Sequence, residues 1–328
     1  KMKKNSWNYR VMYGVIFTLL GMTSLGLHAQ PASYPNKPVK LLIPFPPGGP
    51  ADGIGRLMAV ALSNSIRQTV FVENRGGAGG VIGAELVAQS PADGYTLMLL
   101  PSALVANASL YPKLTFQITR DFVSVSGLAR FPLILVTHPS LPVKSVQDLI
   151  VLAKNKPGQL NFASAGSGGG AHLAAEEFKH LTGVTMTHIP YKGSAAIVTD
   201  LGGGQVMVGI DGISGPAPHI RSGLIKLLAV TNKTKISTWP NTPTVAESIP
   251  NWESNGWFSY SAPAGTPTDI VNKLNAEINR AMKSPEIVEQ LGTYGLTVVA
   301  ESPEFFAQEL IKDYNKYGKL VKDIGFTP

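Results

Sequence analysis

The sequence predicts an α/β protein built as two lobes with mixed sheets and a ligand cleft between them. Three observations carry this. Short apolar runs rich in β-branched residues alternate with amphipathic stretches, the pattern of largely parallel sheets covered by helices. Two glycine-rich loops each stand between such a run and a following helix. The chain has 328 residues, more than one compact core usually holds.

At the N-terminus, Lys1, Lys3, Lys4 and Arg10 come without an acid, Val11 to Leu27 is mostly apolar, and Leu27-His28-Ala29 precedes Gln30-Pro31. This is the three-part form of a secretory signal peptide over residues 1–29. Its apolar stretch is shorter than the roughly 20 residues a membrane span prefers, which favours cleavage after Ala29 over a retained anchor. No later segment is apolar enough to span, and the sequence contains no cysteine for lipid attachment or disulfides. A soluble periplasmic monomer is expected. Losing the four basic residues takes the formal charge from +7 to +3. A chain this near neutral, with scattered lysines, gives no reason to expect a nucleic-acid partner, while the mild positive balance is compatible with anionic ligands.

Beyond the leader, Val39 to Ile43, Tyr95 to Leu100, Leu133 to Thr137, Leu160 to Ala163, Met186 to Ile189, Val206 to Ile210 and Lys226 to Val230 read as strands. Helix starts are marked by Ser145 with Asp148, by Thr266-Pro267 with Asp269, and by Ser302-Pro303. In the Thr266 helix, Ile270, Leu274, Ile278 and Met282 recur every four residues and predict one buried stripe. No linker or repeat marks a boundary, so the lobes are expected to be joined by strands, near Val125 to Phe131 and Gly256 to Pro263. That makes one lobe discontinuous, residues 30–127 with 256–328, around a second at 128–255. Two lobes with two crossings can hinge around a ligand.

The first loop, Pro44-Phe45-Pro46-Pro47-Gly48-Gly49-Pro50-Ala51-Asp52, leads into a helix running to about Leu62. Its prolines stiffen it, its glycines let backbone amides approach a ligand, and the helix N-terminus behind them suits an anion. The second, Ser164-Ala165-Gly166-Ser167-Gly168-Gly169-Gly170, leads into a helix beginning near Ala171 and adds two hydroxyls. Each alone also reads as an ordinary strand-to-helix turn; two of them, one per lobe, read as a clamp. The second loop matches a relaxed dinucleotide fingerprint, but Met186 to Tyr191 supplies no acid for a ribose, so no nucleotide cofactor is expected.

Other candidates are Arg56, one turn into the first helix, and Asp211, Ser102 and Asn107, polar residues at or just beyond strand ends. Asp211 reads equally as the cap of a turn. His172, Glu176 and His180 lack the spacing of a zinc motif and read as a solvated helix face, so no metal is expected. Pro216 stands where a nucleophile elbow needs its last glycine, and no paired nucleophile and base is visible in the sequence. Gly76-Gly77-Ala78-Gly79-Gly80 and Gly202-Gly203-Gly204 read as turns, the former packing against the first loop.

Pro44-Phe45-Pro46-Pro47-Gly48-Gly49 with Asp52 and Arg56, Glu73-Asn74-Arg75, Gly77-Ala78-Gly79-Gly80, Ser164-Ala165-Gly166-Ser167-Gly168 with His172-Leu173, and Pro190-Tyr191-Lys192-Gly193 together resemble the substrate-binding proteins of tripartite tricarboxylate transporters, the Bug family. Leu228-Ala229-Val230, Pro243-Thr244 and Ala262 to Pro267 extend the likeness, which runs from about Tyr34 to Gly325. Met207, where the family often has an acid, and the missing arginine near Lys235 depart from it. The resemblance implies a type II-like periplasmic binding fold that closes on a small carboxylate. It implies ligand contacts from Phe45, Gly48, Gly49 and Asp52, from Ser164, Ala165, Gly166, Ser167 and Gly168, and from Asp211 and the Ser102 region. It also implies delivery to a membrane permease, with no catalysis and no cofactor. A sensory co-receptor would use the same site, and an exported hydrolase or lyase using Asp211 or His172 is the rival of another class.

Overall fold

The computed structural model describes residues 34–325 apart from positions 112 and 237; the signal peptide expected at 1–29 lies outside them. The chain opens with β1 (Val39–Ile43), a five-residue strand, and the proline-glycine loop delivers it into α1 (Pro50–Ile66), whose first position is the proline a helix start tolerates. Then come β2 (Val70–Asn74), α2 (Val81–Ala88), β3 (Thr96–Pro101), α3 (Ser102–Leu110) and the long β4 (Phe122–Thr137). The next segment holds α4 (Val146–Asn155), β5 (Asn161–Ser164), α5 (Gly170–Thr182), β6 (Thr187–Pro190), α6 (Ser194–Gly202), β7 (Val208–Gly212), α7 (Ala217–Arg221) and β8 (Lys226–Val230). The chain returns through β9 (Asn255–Pro263) to α8 (Thr268–Met282), α9 (Pro285–Thr293), β10 (Thr297–Val298) and α10 (Pro303–Asp323). Among the described residues no helix is long and apolar enough to cross a membrane.

The strands form one curled mixed sheet in the order β2-β1-β3-β9-β4-β7-β5-β6, with β8 and β10 also on β4. β1 is parallel to β2 and β3, and β5 is parallel to β6 and β7. The runs Leu41 to Ile43 of β1 and Leu97 to Leu100 of β3 are fully buried and apolar, as two-sided burial requires. One core gathers Leu42, Met98, Leu100, Trp257 and Phe306; another gathers Leu135, Leu149, Phe162, Phe178 and Trp252. Each such side chain contributes about 1.5–3 kcal/mol by leaving water.

β4 connects the halves. It pairs antiparallel with β9 from Phe122↔Pro263 to Pro132↔Asn255, then with β7 from Leu133↔Gly212 and with β8 from Ile134↔Val230. β4 and β9 are thus the strands that run along the sheet where the sequence expects the crossings. The expected strand at Leu133 to Thr137 is only the end of β4, because Ser124, Ser126 and Gly127 interrupt its apolar pattern. Those breaks coincide with register shifts, and Ser126 bonds Asn279 Oδ1 at 2.7 Å. Phe131 marks the passage: a β-carbon on Gly256 would stand 2.1 Å from its ring, so that position needs glycine, and one on Gly212 would be tight at 3.2 Å.

Ser145 and Ser302 cap their helices as expected, the former in a capping box with Asp148. Thr266 does not: its hydroxyl donates to the Pro263 carbonyl at 2.8 Å, and α8 starts beyond Pro267 without a side-chain cap. The α8 stripe buries Leu274, Ile278 and Met282 with Val271 and Ala281, while Ile270 is half-buried at its edge.

Candidate functional site

Both glycine loops leave the C-terminal end of a parallel strand and enter a helix, the place where open α/β sheets take ligands. In the first, Gly48 has φ +86° and Gly49 is the N-cap of α1. Their missing β-carbons would point into open space. Asp52, in the first turn of α1, folds back so that Oδ2 accepts the Gly48 amide at 3.0 Å and the Arg56 Nε at 3.0 Å. Asn74 Nδ2 donates to Asp52 Oδ1 at 2.9 Å and to the Phe45 carbonyl at 3.1 Å, and Arg56 Nη2 donates to Asn74 Oδ1 at 3.0 Å. Burial pushes the Asp52 carboxyl up, but Arg56, Gly48 and Asn74 outweigh it and hold the group below its ordinary range. Asp52 is thus a frame for the loop.

The Gly76 to Gly80 cluster packs beneath this loop, as the sequence suggests. A β-carbon on Gly76 would meet Pro46 at 2.8 Å, and one on Gly80 the Phe45 ring at 3.5 Å. Asn107 of α3 lies between the cluster and the second loop. Its Nδ2 donates to the Gly79 carbonyl at 2.9 Å, and its Oδ1 would stand 2.8 Å from a β-carbon on Gly168. This Oδ1 is buried and has no hydrogen-bond partner among the described residues.

In the second loop, Gly166 and Gly168 have φ +96° and +76°, values that glycine adopts without strain. The Gly166 amide closes a tight turn on the Ser164 carbonyl at 2.9 Å, and the Gly168 amide donates to His172 Nδ1 at 2.9 Å. The amides that keep no acceptor among the described residues are Phe45 and Gly49 in the first loop and Ala165, Ser167 and Gly169 in the second. The expected donor set is therefore divided. Gly48, Gly166 and Gly168 shape the loops, and their neighbours remain available to an anion or its waters.

Asp211 lies at the end of β7, beside β5, with Oδ1 accepting the Gly212 amide at 2.8 Å. Its Oδ2 is buried without a hydrogen-bond partner among the described residues. Burial pushes the carboxyl up to about 6, against the pull of the Ser194 hydroxyl and the Gly212 amide. Ser102 is buried, and its Oγ accepts the Trp257 amide at 3.2 Å, tying α3 to β9.

One reading is corrected. His172 is not on a solvated face: it is 4% exposed and stacks on His188 of β6, with ring centroids 3.6 Å apart, whereas His180 is exposed. His188 Nε2 also lies 2.7 Å from Ser164 Oγ, which has no exposed surface and donates to the Gly166 carbonyl at 3.2 Å. Neither relation is visible along the chain, since the partners come from β5, α5 and β6. Among the described residues no cluster of three or more histidine, aspartate or glutamate side chains could hold a metal.

A sequence profile described as the tripartite tricarboxylate transporter family receptor matches residues 54–326, which leaves the first loop outside the match. Protein BugT of Bordetella pertussis is 36% identical over 97% of this chain and 98% of its own length. Among solved structures, R. palustris Rpa4515 with adipate superposes with a TM-score of 0.83 at 36% identity, covering 90% of this chain and 99% of that one. MatC from Rhodopseudomonas palustris with bound malate gives 0.80 at 29% identity, covering 88% and 100%. With the profile spanning most of the chain and relatives this similar along nearly its full length, the protein belongs to the tripartite tricarboxylate transporter receptor family, the Bug family of two-lobed α/β binding proteins.

Proposed function

We propose that this chain is a periplasmic solute-binding protein that captures a small di- or tricarboxylate, aromatic dicarboxylates included. It holds the ligand between a lobe of residues 30–127 with 256–328 and a lobe of residues 128–255, and hands it to the membrane subunits of a tripartite tricarboxylate-type transporter. The observation that carries this is the set of amides without internal acceptors, Phe45 and Gly49 on one loop and Ala165, Ser167 and Gly169 on the other. A carboxylate held by four or five such donors, each about 1.5–3 kcal/mol before ordering costs, reaches the roughly 8 kcal/mol of micromolar affinity without an arginine clamp. The adipate and malate in the two similar structures support the ligand class. Asp211, beside the second loop, faces whatever group the ligand carries beyond its first carboxylate. Ser164, the hydroxyl beside His188, has no exposed surface for a substrate, which favours binding without turnover.

The test is a thermal-shift screen followed by isothermal titration with adipate, malate, citrate, terephthalate and glutamate, each beside its amide or ester. At least one free acid should raise the melting temperature and bind, and its neutral derivative should not. Equal binding of acid and derivative, or no response to any acid, overturns the reading.

A further inference from the structure

The second loop is gripped from beneath at two points by imidazoles. His172 Nδ1 accepts the Gly168 amide at 2.9 Å, so this nitrogen carries no proton and the ring proton sits on Nε2, which lies 3.6 Å from Glu176 Oε1. His188 Nε2 lies 2.7 Å from Ser164 Oγ, and that hydroxyl is also 3.2 Å from the Gly166 carbonyl. The two rings lie nearly parallel, 16° between planes and 3.6 Å between centroids, with Phe162 stacked on His188 at 4.8 Å. We propose that His172 and His188 are positioning residues for ligand binding, which hold Gly168 and Ser164 in the receiving shape, and that the Gly168 anchor lasts only while His172 Nδ1 carries no proton, so that acid loosens the second loop. The link to ligand affinity rests on the carboxylate reading above; the grip on the loop does not.

The chemistry is set by proton positions. A proton added at His172 Nδ1 opposes the Gly168 N–H and breaks that anchor. A second charge, on the half-exposed His188, would place two cations face to face across the 3.6 Å stack. The charged groups facing the stack are Glu176 on α5, which favours a charged ring, and Lys179, which opposes it and is itself 2.8 Å from Glu176 and 5.6 Å from the Phe162 ring centroid. Burial first, and then the neighbouring His172 ring, push His188 down to about 4.

The loop is read without ligand by nuclear magnetic resonance, following the Gly168 amide and the imidazole nitrogens from pH 8 to 4. In the wild type the Gly168 amide should show the shift and slow exchange of a hydrogen-bonded donor and lose both together with imidazole protonation. His172→Phe, which keeps a stacked ring without an acceptor, should lose them at every pH. His172→Asn, which returns an acceptor near the Nδ1 position and does not titrate, should recover them and flatten the acid loss. An amide that ignores pH and both substitutions overturns the inference. Adipate and malate titrations of the same proteins separate the two readings. Affinity on the order of tenfold weaker in His172→Phe and restored in His172→Asn supports the positioning role. Binding unchanged in His172→Phe from pH 8 to 4 overturns it and leaves the carboxylate reading intact. A loop that responds as described while neither acid binds sustains the grip and counts against the carboxylate reading.

Discussion

Asp52 Oδ2 accepts the Gly48 amide at 3.0 Å, so the first anion at this helix N-terminus belongs to the protein. The same carboxylate takes Arg56 and Asn74, which makes it the keystone of the first loop. Asp52→Ala should cost about 1–3 kcal/mol in urea unfolding at pH 7, and Asp52→Asn less, because the amide oxygen still serves Gly48. The group is held below its ordinary pKa, so its contribution is present above about 3.8 and is lost as pH falls through its lower folded value. The gap between wild type and Asp52→Asn should therefore close in strong acid.

Gly48 and Gly166 have positive φ and open space in front of them. Gly48→Asp and Gly166→Asp should abolish detectable carboxylate binding in isothermal titration, since a fixed negative charge at the loop costs on the order of 3 kcal/mol, about a hundredfold. Gly166→Ala isolates the backbone part: about 1–2 kcal/mol of strain without the charge.

Asp211 gives a prediction of opposite sign. Its pKa is raised from 3.8 to about 6, so the native state disfavours the charged form and loses stability as pH rises between those values. Asp211→Asn should be more stable than wild type at pH 7, by on the order of 2 kcal/mol, with the advantage gone below pH 4. If Asp211 meets the ligand as proposed, the same variant should also change which acids bind.

His188 titrates the other way. Its folded value of about 4 lies below the ordinary 6.5, so its neutral form contributes stability above 6.5 that is lost as pH falls from 6.5 towards 4. In chemical denaturation at pH 7 and pH 4.5, His188→Gln should show a smaller acid loss than wild type.

Gly256→Ala should destabilise the crossing by about 1–3 kcal/mol through overlap with the Phe131 ring, and Phe131→Leu in the same chain should recover part of that. Equilibrium unfolding of the two single variants and the double reads the coupling directly.

Much of this was legible along the chain. β1 and β8 begin and end where their apolar runs do, and the Ser145 capping box announces α4. The glycine loops stand out because their composition is itself the signal. Which amides those loops leave available was not legible, since it depends on where the Asp52 carboxylate and the His172 ring fold back. The burial of His172 was hidden because its partner comes from β6, and helix periodicity alone cannot tell a polar residue facing water from one facing another ring. Asn107 was visible only as a polar residue beyond a strand, its bond to Gly79 being a product of tertiary packing.

β4 lies in both halves of the sheet, with β9 and β10 along its first part and β7 and β8 along its last. Neither half can melt without stripping a central strand from the other and baring its backbone amides and carbonyls to water. Residues 37–328, a single compact unit, should accordingly lose structure in one cooperative step, with tryptophan fluorescence at Trp252 and Trp257 and far-ultraviolet dichroism tracing the same curve. The strand that the two halves share also binds them to one melting point.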